Sequence, residues 1–272
     1  MRYRPSFPAA VSLEPVGSVA VVDLESVCEL YGRDTVPFPL GRSRPVGSLW
    51  LATRDVDPIE YRLDAGDLRS VRGWVEALMR PDVCVECRVH CSVGDRPDRR
   101  LHGVLADGSG FLAVQGSDEG VDIVDVYAVP PPELAAVVAD TVGLVGAGAH
   151  QRIAVTGHTD QVPEAVDARD EADDLSFLVD HTVHPEPVPV VDDRDVVATG
   201  TVQTRTEPAR QWGVDPDRRI LHWVQVRGDG DYIYEPDDAD HAEPLDAGML
   251  RSWIEGFIAD DMEALRSRRG QW

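Results

Sequence analysis

The stretch DLRSVRGWVEALMRPDVCVECRVHC, residues 67–91, changes its hydrophobic period halfway along. In its first half Leu68, Val71, Trp74, Val75, Leu78 and Met79 recur at the spacing of one helix face, and Asp67 stands where a capping carboxylate belongs. Pro81 ends that helix, because proline has no N–H to donate and disfavours helical backbone before it. From Val83 the period is two. Val83, Val85, Cys87, Val89 and Cys91 share one face of a strand, and Cys84, Glu86, Arg88 and His90 share the other. Downstream, strands around 100–106 and 110–116 flank Asp107-Gly108, a tight hairpin signal, and a further strand spans 120–127. Pro130 to Pro132 then open an amphipathic helix carrying Leu134, Val137, Val138, Val142 and Leu144, and 152–156 reads as a strand. Upstream, Val19 to Val22 reads as a short strand. Asp23 is placed to cap a helix from Leu24 to Tyr31, closed by Gly32, and 33–48 is a loop rich in Pro, Gly and Arg.

The same order recurs in the C-terminal part. Strands are expected at 196–205 and 219–227, and Asp229-Gly230 turns the chain into Asp231–Glu235. The most clearly amphipathic helix follows at 246–266, with Met249, Leu250, Trp253, Ile254, Phe257, Ile258, Met262 and Leu265 along one stripe and Asp246 as its cap. Strands gathered in runs and followed by helices indicate an α+β fold with an antiparallel sheet rather than βαβ units. The expectation is a single domain over 1–272. It comprises two pseudo-symmetric halves, roughly 17–157 and 175–266, joined by an acidic connector over 158–195 whose 183–195 part alternates Pro, Val and Asp and reads as extended.

Composition narrows the function. The 49 acidic residues against 26 basic ones give a formal charge of −23, which disfavours nucleic acid and anionic membrane surfaces as partners. Every basic residue is Arg, and Ala, Val, Asp, Pro and Gly are abundant. That usage fits the coding bias of a GC-rich, actinobacterial or halophilic source, so the acidity is read as lineage and solubility before recognition. No apolar run approaches the about 18 residues of a membrane helix, and no signal-peptide core follows Arg2 and Arg4. Four Cys in 272 residues are too few for a disulfide framework. A cytoplasmic protein without membrane insertion is expected.

Residues that could carry chemistry do not assemble into a catalytic pattern. Cys84, Cys87, His90 and Cys91 suggest a metal or redox cluster. On a strand, however, positions 84 and 87 point to opposite faces, and zinc needs four ligands at one point. Asp180, His181 and His184, with His158 and Asp160, match no metalloprotease helix spacing. Gly143, Gly146 and Gly148 follow a helix instead of linking a strand to a helix, the wrong order for a dinucleotide fingerprint. Without Lys there is no phosphate-binding loop. Asp229 and Asp231 open like a calcium loop but lack its later ligands. No catalytic residue, metal site or cofactor is assigned, and the chain is read as a non-enzyme. A metal protein using Cys84, Cys87 and His90 is the enzyme-like alternative, and a non-catalytic scaffold the other.

Several blocks resemble one family. Trp74–Glu86 is similar to the helix-then-strand signature in the first half of EspG proteins, and Leu101–Gly108, Leu112–Gln115, Pro132–Val138 and Gly146–Val155 continue the likeness. Gly200–Gly213, with Pro208-Ala209-Arg210-Gln211-Trp212-Gly213, resembles that family's Arg- and Gly-containing hairpin. The resemblance implies a pseudo-twofold fold with a central antiparallel β-sheet flanked by two helical bundles. It implies a chaperone of type VII (ESX) secretion that covers the hydrophobic tip of PE/PPE-type substrates and keeps PE–PPE pairs soluble. The second-half sheet and C-terminal helices would then bind the partner, with Gln203, Arg205, Arg210, Trp212, Gln225, Tyr232 and Tyr234 as candidate contacts, since Arg and aromatic residues anchor interfaces. For Trp212 and the tyrosines the other reading is ordinary sheet packing. A homodimer is a further expectation. The acidity, the lack of Lys and the long acidic segment near 159–195 depart from the family pattern.

Overall fold

A computed structural model describes residues 13–43, 57–94, 97–118, 120–156, 188–207, 211–235 and 238–270. The strand expected at 83–91 is observed as β2 (Val83–Cys91), and it sits at the middle of the molecule. It pairs with β3 (Arg99–Ala106), which turns into β4 (Ser109–Asp118), followed by β5 (Val121–Ala128). The turn between β3 and β4 has positive φ at both central residues, 47° at Asp107 and 77° at Gly108, the geometry that matches strand twist in a tight hairpin. On its other side β2 pairs with β8 (Val196–Arg205), which continues into β9 (Leu221–Val226), β10 (Asp231–Glu235) and β11 (Asp238–Pro244). With β1 (Glu14–Ala20) beyond β5, one antiparallel sheet of nine strands runs β1-β5-β4-β3-β2-β8-β9-β10-β11. The chain therefore moves outward twice from the central β2–β8 pair, once in each direction.

The two faces of β2 lead to different cores, as its alternation requires. Val85, Cys87 and Val89 join Leu101, Leu112, Val114, Val202, Leu221, Trp223 and Ile233 under α4 (Leu134–Thr141) and α5 (Ala247–Arg269). The opposite face, with Cys84, Val104, Ala113, Val124 and Val126, is covered by α1 (Val21–Leu30), α2 (Ile59–Asp64) and α3 (Arg72–Met79). Farther along that second face, Val224, Val226, Tyr232, Tyr234 and Ala242 form a smaller core with Ile153 and Val155. Close packing fixes two glycines. A Cβ at Gly200 would lie 1.9 Å from the Trp223 ring, and one at Gly148 would lie 1.9 Å from that of Tyr232.

Several boundaries differ from expectation for identifiable reasons. β1 starts at Glu14 and α1 at Val21, so Asp23 lies inside the helix instead of capping it. Its carboxylate is buried and meets Arg62 at 2.9 Å, an ion pair that replaces the cap. Asp67 is likewise drawn to Arg62, at 2.8 Å, and the helix it was expected to cap begins as a 3-10 turn over Arg69–Val71 before α3. Pro131–Glu133 form a similar 3-10 turn before α4. Of 152–156 only β6 (Ala154–Val155) is strand, paired in parallel with β7 (Val190–Val191). β11 was not anticipated: its sequence DADHAEP has none of the apolar alternation of a half-buried strand. At the sheet edges, β1 carries Pro15 and an irregular register between Pro15 and Gly17, and Ile153 bonds to Ala242 of β11 through both backbone groups at 2.9 Å. Asp246 caps α5 as expected, its Oδ1 accepting from the Met249 N–H at 2.7 Å. The Asp180, His181 and His184 group, and most of the connector, lie outside the described residues. No helix among the described residues is long and apolar enough to cross a membrane.

Candidate functional site

Cross-strand register brings a row of polar side chains to the middle of one sheet face. Glu86 on β2 stands opposite His102 on β3 and Gln203 on β8. All three are buried. Glu86 accepts hydrogen bonds from the Gln203 amide and from Arg205 Nε, the latter at 2.8 Å. Burial pushes the Glu86 carboxyl above the usual carboxylate range, and the Arg205 guanidinium only partly offsets that. Arg205 then reaches outward. Its Nη2 donates to the Gly213 carbonyl at 2.8 Å and its Nη1 lies 3.6 Å from Asp215. Gln203 Oε1 accepts the Asp215 N–H at 3.0 Å. Two side chains rooted in the sheet, Arg205 and Gln203, thus hold the backbone of the β8–β9 loop at residues 213–215, and Glu86 holds both of them from beneath.

That loop displays Trp212 and Val214, which are 43% and 40% exposed although both are large and apolar. Trp212 is nevertheless fixed in place. Its Nε1–H donates to the Leu40 carbonyl at 2.8 Å, and its ring meets Phe38 edge-on at 5.1 Å between centroids. The 36–43 loop that provides these contacts is itself anchored to the sheet. The Gly41 carbonyl accepts from Arg100 at 2.9 Å and from Gln115 at 2.7 Å, and the Gly41 N–H donates to Gln115 at 2.9 Å. Trp212 stands as a ridge between two open hollows. One, of about 530 Å³, lies toward α1 and is lined by Glu25, Cys28, Glu29, Asp34, Val36 and Arg42. The other, of about 520 Å³, is formed by the β8–β9 loop itself.

The same loop is tied to the C-terminal helix. Arg218 pairs with Asp261 at 3.1 Å, Arg219 pairs with Asp260 and lies over the Phe257 ring at 4.7 Å, and Arg268 pairs with Glu207 at 3.0 Å. Sheet, loop and helix α5 therefore form one connected support for the exposed tryptophan.

Of the seven residues singled out in the sequence, Gln203, Arg205 and Trp212 come together here, the first two as buried support and the third as the exposed apex. Gln225, Tyr232 and Tyr234 lie elsewhere. Tyr232 and Tyr234 are buried in the smaller core, the sheet-packing alternative, and burial raises the Tyr232 hydroxyl to about 12 while its O–H donates to Asp229 at 2.6 Å. Gln225 donates to Asp231 at 3.2 Å. Arg210 lies outside the described residues. The sequence reading missed Glu86, Asp215, Val214 and the Phe38–Gly41 loop. Glu86 had one signal, a carboxylate on the polar face of a strand, but its partner is 119 residues away.

The cysteines do not converge. Cys84 packs beneath α1–α3 and Cys87 beneath α4 and α5, on opposite faces of β2, and burial raises both thiols beyond their ordinary range. His90 is exposed and hydrogen-bonded to Asp98 at 2.9 Å. Among the described residues no group of three or more His, Cys, Asp or Glu side chains is placed to hold a metal ion.

An exposed apolar side chain on a loop, fixed by Leu40 and Phe38 and set between two open hollows, is the main apolar feature of this surface. The family model for EspG proteins matches residues 20–256, and the chain belongs to the EspG family. Among solved structures it is similar to the Mycobacterium tuberculosis type VII secretion system chaperone EspG5, determined in complex with the PE25–PPE41 dimer. The identity is 11%, with 90% of this chain and 95% of that one covered and a TM-score of 0.46. No curated protein matches the sequence.

Proposed function

We propose that this chain is a cytoplasmic chaperone that docks on the apolar helical tip of a PE/PPE-type substrate and keeps it soluble for type VII secretion. Family membership supports the class. The observation that carries the docking site is Trp212, a large apolar side chain left 43% exposed yet fixed by Leu40 and Phe38. A side chain already ordered costs little further entropy on binding, and buried Trp is a frequent anchor of interfaces. Val214 beside it and the ion-paired α5 behind it extend the surface, with Gln203 and Arg205 acting from beneath. The reading includes no reaction centre. The two halves, roughly 17–157 and 175–266, are taken as pseudo-symmetric partners, supported by the strand order running outward both ways from β2 and β8.

The test is co-expression with PE–PPE pairs from ESX loci, followed by size exclusion. A soluble complex with one such pair, lost on Trp212→Ala, is expected. Insolubility of every pair, or a complex indifferent to Trp212→Ala, would overturn the assignment of this surface.

A further inference from the structure

The hollows on the two sides of Trp212 are charged in a one-sided way. The cations that line them are already engaged: Arg42 with Glu25 at 2.7 Å, Arg205 with Glu86, and Arg218 with Asp261. Glu29 and Asp34 in the first hollow and Asp217 in the second are exposed, and among the described residues none of them has an ion-pair partner. An apolar ridge is thus flanked on both sides by exposed carboxylates that form no ion pair among the described residues, on a chain of formal charge −23. Arg33, next to Asp34, donates instead to the Met79 carbonyl at 2.7 Å.

We infer that the segment docking on Trp212 is a helical-hairpin tip of a client protein whose apolar residues are flanked by Arg or Lys side chains, the cations settling against Glu29, Asp34 and Asp217. This rests on the docking site proposed above and adds the chemistry of what it accepts. An acidic tip would be repelled from both hollows, and like-charge juxtaposition is an effective way to reject wrong partners. A second copy of this chain is disfavoured on this face for the same reason, since it would bring further carboxylates. Because the three acids are exposed, their influence falls as salt shortens the screening length from about 14 Å at 50 mM toward about 6 Å at 300 mM.

The experiment uses the full chain and three fluorescent helical-hairpin peptides sharing one Leu/Phe tip, flanked by two Arg, two Gln or two Glu, with anisotropy measured at 50 and 300 mM NaCl. The Arg peptide should bind at least tenfold more tightly than the Glu peptide at 50 mM, with the gap narrowing at 300 mM. The triple variant Glu29→Gln, Asp34→Asn, Asp217→Asn should close that gap, the Arg and Glu peptides then binding with similar affinity. Equal or tighter binding of the Glu peptide by the unaltered chain overturns the charge inference alone. Loss of selectivity is distinct from loss of the site: Trp212→Ala should weaken all three peptides together. If it weakens none, or if no peptide binds, the docking site itself is wrong and the inference falls with it.

Discussion

Replacing Arg205 by Met tests whether the buried polar row holds the β8–β9 loop. Arg205 and Glu86 are 7% and 2% exposed, and the pair joins β8 to β2 at the middle of the sheet. Met keeps most of the volume but leaves the Glu86 carboxylate without its cation and the Gly213 carbonyl without its donor. Removing one partner of a buried ion pair costs about 3–5 kcal/mol, because the charge left behind is neither solvated nor paired. At a urea slope of about 3 kcal/mol/M, the midpoint should fall by about 1–1.7 M with the slope unchanged. Glu86→Gln should cost less, since Gly213 and Asp215 still engage Arg205. The double variant Glu86→Gln, Arg205→Met should recover more than half of the single Arg205→Met loss, because no unpaired charge then remains. Hydrogen exchange supplies a second readout: the 211–219 amides should exchange faster in Arg205→Met. A loss below about 1 kcal/mol, or a double variant as unstable as Arg205→Met, would refute the reasoning.

Trp212→Ala should cost only about 1–2 kcal/mol of stability, from one hydrogen bond and one aromatic contact, so abolished binding could not be ascribed to unfolding; urea titration checks it. Gly200→Ala places a methyl within the Trp223 ring and should destabilise by about 1–3 kcal/mol or more, read from the same titration. His102, 1% exposed, is lowered to about 4 by burial and then by Arg33. A histidine lowered in the folded state contributes stability that is present above its unfolded value near 6.5 and is lost as pH falls toward 4, on the order of 3 kcal/mol. His102→Gln should flatten that part of the stability profile. Glu86 acts oppositely: a raised carboxyl destabilises at neutral pH, and this penalty fades as pH falls through its folded value, so Glu86→Gln should steepen the acid loss.

Much of the sheet was legible because its strands alternate apolar and polar residues, although both faces of β2 and β3 are in fact buried. β2 shows five apolar residues on one face, and Asp107-Gly108 marks its own turn. Helix α5 was equally plain from its stripe and its Asp246 cap. β11 was not, because an edge strand is held by backbone bonds to β10 while its side chains stay polar, which leaves no periodic signal. The site was legible only in part. Arg and Trp stand out in the sequence as candidate anchors, but whether Tyr232 or Trp212 faces solvent depends on which strand pairs with which. Trp212 is held by Leu40, 172 residues away, and no local pattern carries that information. Asp23 and Asp67 misled for a related reason: both sit where caps belong, and both were taken by Arg62.

The two outer strands bear on what such a molecule can safely carry. A nine-stranded sheet with bare margins would template further strands, above all beside a partner whose own apolar surface invites clumping. Pro15 and the bulge after it blunt one margin, while Ile153 occupies part of the other, which ends in Pro244 and bears Asp238 and Asp240. The sheet is therefore guarded against growth at its sides, and fibril formation should begin first in variants that free Ala242 from Ile153.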